Sequence, residues 1–271
     1  MSEKIIMATS NKMKIRNMTE FAKIICNKYG ADLNMVTLEE IGIDHIDCDE
    51  PYTTYSENSE HKADVAFNVI KESHKIRDYD RYFIMTNDSG LEISLLNNWP
   101  GHRTARCNSD TGYKYASNVE CILTSLEEAR LNSDSFSVVK ERSANLISST
   151  TLIKVENNQI VSRETRMGKM SVLIACEPMV DTGDNGKTIY PICIPCYPVN
   201  QIMNLIDMLH FREDSNVSNK SLKNQIAASI IQKCKSYAEY TIEELVEIND
   251  YGYQSMVNTF ISMGLISLFN K

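Results

Sequence analysis

Asn11, Lys12 and Lys14 stand in the run ATSNKMK, where a short apolar stretch gives way to a helical pattern. A helix start offers free backbone N–H groups and the positive end of the peptide dipole, so a lysine within its first turn makes a place for a phosphate. An exposed lysine at a helix start is also ordinary surface chemistry. The acidic run DHIDCDEPYTTYSENSEHKAD then sets Glu50 and Glu57 ahead of Lys62. Carboxylates near a lysine and bound phosphates suit magnesium, which takes one or two carboxylates plus substrate oxygens; a solvated acidic loop has the same composition. The third cluster is TNDSGL, where Asp88, Ser89 and Gly90 follow a buried apolar run. Ligands bind at strand ends in α/β sheets, and an aspartate there can hold a metal or activate a water. N-D-S-G is equally a turn former. The order and spacing of the three clusters carry more than any one of them.

The elements that must position these residues follow from periodicity. Residues 3–9 form a short buried strand, and a helix runs from Asn11 to about Tyr29 with Ile15, Met18, Ala22 and Ile25 at three- and four-residue steps. A second helix covers about Ser56 to Ser73, with Ala63, Ala66, Val69 and Ile70 facing inward. Strands are predicted at 82–86, at 91–96 beside it, at 143–155 and at 170–176. Gly183, Gly186, Pro191, Pro195 and Pro198 make 180–200 a loop-rich connection, and a helix covers Leu222 to Cys234. Strands and helices at this spacing predict an α/β fold with a central mixed sheet.

Residues 1–235 are expected to form the main domain, which carries the candidate phosphate place, and 236–271 a C-terminal helical extension. Thr241 and Glu244 have capping-box spacing. A more apolar helix follows, through Met256, Phe260, Ile261, Met263, Leu265, Ile266, Leu268 and Phe269. Such a face either packs back onto the domain or meets a partner or second copy.

The 271 residues are 42% hydrophobic, enough for a real core, and the formal net charge is -8. That balance argues against a nucleic-acid surface, though a small basic pocket for phosphates is compatible with it. No apolar stretch is long enough to span a membrane, and the N-terminus lacks a signal peptide's apolar core, so a cytoplasmic protein is expected. Eight cysteines are then expected to be reduced thiols. Cys193 and Cys196 form a lone C-x-x-C with no second pair, and no zinc site is expected from them.

With those residues in view, the chain resembles the inosine triphosphatase (dITP/XTP pyrophosphatase) family. ATSNKMK resembles its opening T/S-x-N-x-x-K, and ENSEHKA its E-N-A-x-x-K-A helix start. NDSGLEISLLNNWPGHRTAR resembles its D-D-S-G-L…P-G-x-x-S-A-R segment, and ERSAN, around Arg142 and Ala144, the R-x-A strand. The resemblance implies an elongated α/β fold of two lobes with a substrate cleft between them, usually in a homodimer. It implies cleavage of ITP, dITP or XTP to the monophosphate and pyrophosphate with Mg2+. Ser10, Asn11, Lys14 and Lys62 would meet the triphosphate, Glu50 and Asp88 would hold magnesium, and Asp88 would activate water. Glu57, Ser89 and Arg106 fall on further motif positions and would also bind the substrate.

Three departures follow. Asn87 stands where the family has the first acid of D-D-S-G, which predicts weaker metal binding or water activation. The base-pocket loop G-F-G-Y-D-P is reduced to GKTIYPI, leaving Tyr190 to stack on a purine or to serve as a core tyrosine. The run E-K-N-x-I-S-H-R becomes EDSNVSNK: Ser218 is retained, Lys220 takes the arginine position, and a lysine lacks arginine's bidentate fork. Retained phosphate residues beside an altered base half lean the sequence toward a sensor that binds a deaminated purine nucleoside triphosphate and signals to an effector. The analogy is with family-like subunits of anti-phage defence systems, one type paired with a sirtuin-like NADase. An active pyrophosphatase is the alternative.

Overall fold

Asn11 starts the first helix by accepting from the backbone N–H groups of Met13 and Lys14 at 3.0 and 3.1 Å, and Gly30, at φ 65°, ends it. Local rules of this kind recur along the computed structural model, which describes residues 3–76, 81–132, 138–175, 179–180, 188–189, 192–193 and 240–267. In chain order the strands are β1 (Glu3–Met7), β2 (Leu33–Thr37), β3 (Tyr82–Ile93), β4 (Trp99–Gly101), β5 (Ser143–Glu156), β6 (Gln159–Ile174), β7 (Met179–Val180), β8 (Thr188–Ile189) and β9 (Ile192–Cys193). The helices are α1 (Lys12–Tyr29), α2 (Tyr55–Ser73), α3 (Cys107–Asp110), α4 (Asn118–Leu131), α5 (Val138–Arg142), α6 (Ile242–Glu247) and α7 (Tyr251–Ser262).

The chain divides into two units. Among the described residues the first holds 3–76, 81–89, 147–169 and 242–267. Its sheet has the order β2-β1-β3-β5-β6, with β1 parallel to both β2 and β3. Asn157 and Asn158, at φ 50° and 57°, close the β5–β6 hairpin; short polar side chains tolerate the left-handed turn it needs. On one sheet face, α2 buries Ala63, Ala66 and Ile70 against Ile6, Ile84, Ile153 and Val155. Thr54 caps α2 reciprocally with Glu57, the hydroxyl donating to its carboxylate at 2.6 Å and accepting from its N–H at 3.2 Å.

The other face carries α1 and the C-terminal helices. Phe21 of α1 meets Tyr253 of α7 edge-on, ring centroids 5.6 Å apart. Gly168 of β6 lets α7 approach: a Cβ there would lie 1.9 Å from the Tyr251 carbonyl oxygen and 2.9 Å from Ser255 N. Asp250 caps α7 through Gly252 and Tyr253 N–H. The apolar residues Met256, Val257 and Phe260 are buried.

In the second unit, β4 pairs antiparallel with the end of β3, and β9 with the end of β6. Buried Arg142 donates to the Ala175 carbonyl at 2.8 Å and pairs with Glu127 of α4. The predicted α/β class with a mixed sheet is found. Three strands differ from prediction in extent. The predicted 82–86 runs on to 93 as one strand, residues 94–96 forming a single 3-10 turn, and 170–174 of the predicted 170–176 is the end of a strand that begins at 159. β2 and α4 occupy stretches where periodicity predicted no element. No described helix is long and apolar enough to cross a membrane.

Candidate active site

The end of β3 in the first unit lies between two different surroundings, because neighbouring strand residues point to opposite faces. Thr86 and Asp88 face α2: Thr86 donates to the Ser59 carbonyl at 2.6 Å, and Asp88 Oδ1 accepts from Lys62 Nζ at 2.7 Å. Lys62 also meets Glu50 Oε1 at 2.7 Å. The two carboxylates and the ammonium are largely buried, with side-chain exposures of 16% for Glu50, 4% for Asp88 and 17% for Lys62. Burial disfavours the Lys62 charge, but the charges and hydrogen bonds of Asp88 and Glu50 outweigh it and hold the ammonium above the ordinary lysine range.

Lys14, in the first turn of α1, donates to the Asn87 carbonyl at 3.3 Å. Burial first, and the Lys62 charge next, push its ammonium down to about 8, against the opposing pull of Asp88 and Glu50. Two cations and two anions thus share one end of the sheet. Asp88 Oδ2 is buried without a hydrogen-bond partner among the described residues. A buried carboxylate oxygen left without a donor suits a cation or a water. With Glu50 alongside, the oxygen-only donor set fits magnesium.

Asn87 faces the opposite way. Its Nδ2 donates to Ser148 Oγ at 2.7 Å, to the Ser149 carbonyl at 3.2 Å and to Thr150 Oγ1 at 3.3 Å. Ser255 of α7 meets the same two hydroxyls at 3.0 and 2.7 Å. A carboxylate at 87 would set an acceptor against the Ser149 carbonyl, which can only accept. The asparagine is therefore matched to its surroundings, away from the Asp88–Lys62–Glu50 cluster. Sequence reasoning missed this hydroxyl network; its signal was the run Ser148-Ser149-Thr150-Thr151 inside a buried strand.

Four predicted residues come together: Lys14, Glu50, Lys62 and Asp88. Asn11 is exposed, its side-chain oxygen engaged in capping α1, and Ser10 is exposed just before it. Ser89 follows Asp88, half-buried. Glu57 is exposed and engaged with Thr54, a helix-capping contact that the motif position did not reveal. Arg106 belongs to the second unit, half-buried, at the end of the 3-10 turn Thr104–Arg106. Tyr190, Ser218, Lys220, Cys196 and the predicted helix 222–234 lie outside the described residues.

The chain has recognisable relatives. A family model described as the Ham1 family matches residues 5–176. A dITP/XTP pyrophosphatase of Clostridium perfringens is 31% identical over 166 residues, 61% of this chain and 72% of the relative. One of Clostridium tetani is 24% identical over 236 residues, 87% of this chain and 98% of the relative. The structure of the Staphylococcus aureus Ham1 protein covers 96% of this chain and 97% of that one at 17% identity, with a TM-score of 0.52, a likeness of fold.

Proposed function

The chain belongs to the Ham1 family, and from that premise we propose that it is a nucleoside triphosphate pyrophosphatase acting on a deaminated purine nucleotide of the dITP, ITP or XTP class. The observation that carries this reading is Asp88, a buried carboxylate with one oxygen on Lys62 and the other unengaged by the described residues.

Lys14 and Lys62 supply positive charge for the triphosphate, each preset by a contact to β3, so little reorganisation accompanies binding. Glu50 and Asp88 would hold magnesium, which when bound draws charge from the phosphate oxygens. A carboxylate oxygen of the Glu50–Asp88 pair that is not engaged with the metal takes a proton from water. The water oxygen bonds to the α-phosphorus as the bond to the bridging oxygen breaks, and that oxygen leaves with pyrophosphate. The ammonium groups of Lys14 and Lys62 offset the negative charge that gathers on the leaving group.

The sensor reading depended partly on Asn87 as a lost catalytic acid, and the side chain's engagement with Ser148 and Thr150 weakens that support. Of its other supports, the altered base-reading residues lie outside the described residues, and the apolar face of the C-terminal addition is buried within the first unit through Met256, Val257 and Phe260. Pyrophosphate release from dITP, ITP, XTP, dATP and dGTP with magnesium, beside calorimetric binding of each, decides between the readings. Multiple turnover on a deaminated purine, lowered at least about 100-fold by Asp88→Asn, is expected. Tight binding without turnover would replace the enzyme with the sensor.

A further inference from the structure

Cys48, Asp49 and His61 meet where the loop ahead of α2 returns to that helix. One donor atom from each, the Cys48 Sγ, a carboxylate oxygen and a ring nitrogen, all lie within 4.8 Å of one another. His61 Nε2 is 2.9 Å from Asp49 Oδ1, and the Cys48 thiol turns back on the Asp49 carbonyl at 3.3 Å. Sulfur, imidazole and carboxylate form the donor set of zinc and its first-row neighbours, whereas magnesium takes oxygen alone. Donors around a tetrahedral zinc stand roughly 3.5 Å apart, given bond lengths of about 2.0–2.3 Å. Donor atoms at the 4.8 Å limit would have to move by about 1 Å to reach that spacing.

The donors are held in place by features that owe nothing to an ion. Buried Asn58 accepts from the Tyr52 N–H and donates to the Tyr52 carbonyl, both at 3.0 Å, which fastens the loop to α2. His61 lies one turn further along α2, and its ring meets Tyr52 edge-on with centroids 5.6 Å apart. The histidine side chain is 27% exposed and Asp49 78%, leaving an open side through which an ion and its water can enter.

We propose that Cys48, Asp49 and His61 bind one zinc-class divalent ion, completed by water, separate from the carboxylates of Glu50 and Asp88. Chain order gives the site a consequence that rests on the pyrophosphatase reading. Cys48 and Asp49 directly precede Glu50, and His61 directly precedes Lys62, so an ion joining them fixes the spacing of the Glu50–Lys62 pair.

The test titrates the reduced full-length protein with cobalt(II) in excess magnesium, following absorption, with zinc as competitor. Saturation at one equivalent is expected, with a thiolate-to-cobalt charge-transfer band that zinc abolishes and magnesium leaves. Cys48→Ser removes the band, His61→Ala weakens binding at least tenfold, and Asp88→Asn changes neither. A band undiminished in Cys48→Ser, or no saturable uptake at micromolar cobalt, overturns the proposal. The band in a protein that releases no pyrophosphate would leave this site standing while the catalytic reading fell; turnover without the band would do the reverse.

Discussion

Lys14 holds a charge in a place that disfavours it. Its ammonium, at about 8 against an ordinary 10.5, loses its proton where most lysines keep theirs. Triphosphate binding should therefore weaken as pH rises from 7 to 9. Lys14→Arg should flatten that profile, since arginine stays charged; an unchanged profile would remove Lys14 from the phosphate site. For stability the sign runs the other way. Between pH 8 and 10.5 the folded chain binds fewer protons at this position than the unfolded one, so its contribution rises with pH. Lys14→Met should raise the thermal midpoint at pH 7 while costing roughly 10- to 100-fold in triphosphate affinity. Asn87 poses the second test at this scale. Asn87→Asp should destabilise by about 1–3 kcal/mol in urea, by facing the Ser149 carbonyl with a second acceptor, and should not speed turnover. A faster enzyme of unchanged stability would refute this account of the residue.

At the scale of elements, the docking of α7 on the sheet is the feature most open to attack. Gly168→Ala sets a methyl against backbone and should cost about 3 kcal/mol. Ser255→Ala loses contacts to Ser148 and Thr150 and should cost about 1 kcal/mol. Urea midpoints of both variants, with the m-value unchanged, check the pair. These elements were unevenly legible. α1 and α2 could be read closely because an apolar stripe runs along each, Ile15–Met18–Ala22–Ile25 and Ala63–Ala66–Ile70; the caps Gly30 and Thr54 entered only with the structure. β6 was half hidden: 159–169 is polar and partly exposed, and its strand conformation comes from the hairpin with β5, which leaves no apolar pattern. In the site, Glu50, Lys62 and Asp88 were legible by motif. The divergence of Asn87 from Asp88 depends on strand alternation together with hydroxyls some sixty residues away, and no local signal carries that.

For the whole molecule, the C-terminal segment is part of the first unit and supplies one wall of its core. A chain ending at residue 241 would uncover Phe21, which meets Tyr253, and would leave Ser148 and Thr150 without Ser255. Such a chain should show a lower unfolding midpoint and bind a hydrophobic dye; native-like unfolding would mark α6 and α7 as dispensable. The same geometry bears on folding fidelity. A one-residue slip of β3 would exchange the two faces, moving Asp88 into the place of Asn87 against the Ser149 carbonyl and setting Ser89 opposite Lys62. A buried carboxylate would then lack its cation, and the ammonium would lose one of its two anions. The charges at the end of the strand thus penalise a misregistered sheet, and a chain that reaches the correct alignment is one whose site is already assembled.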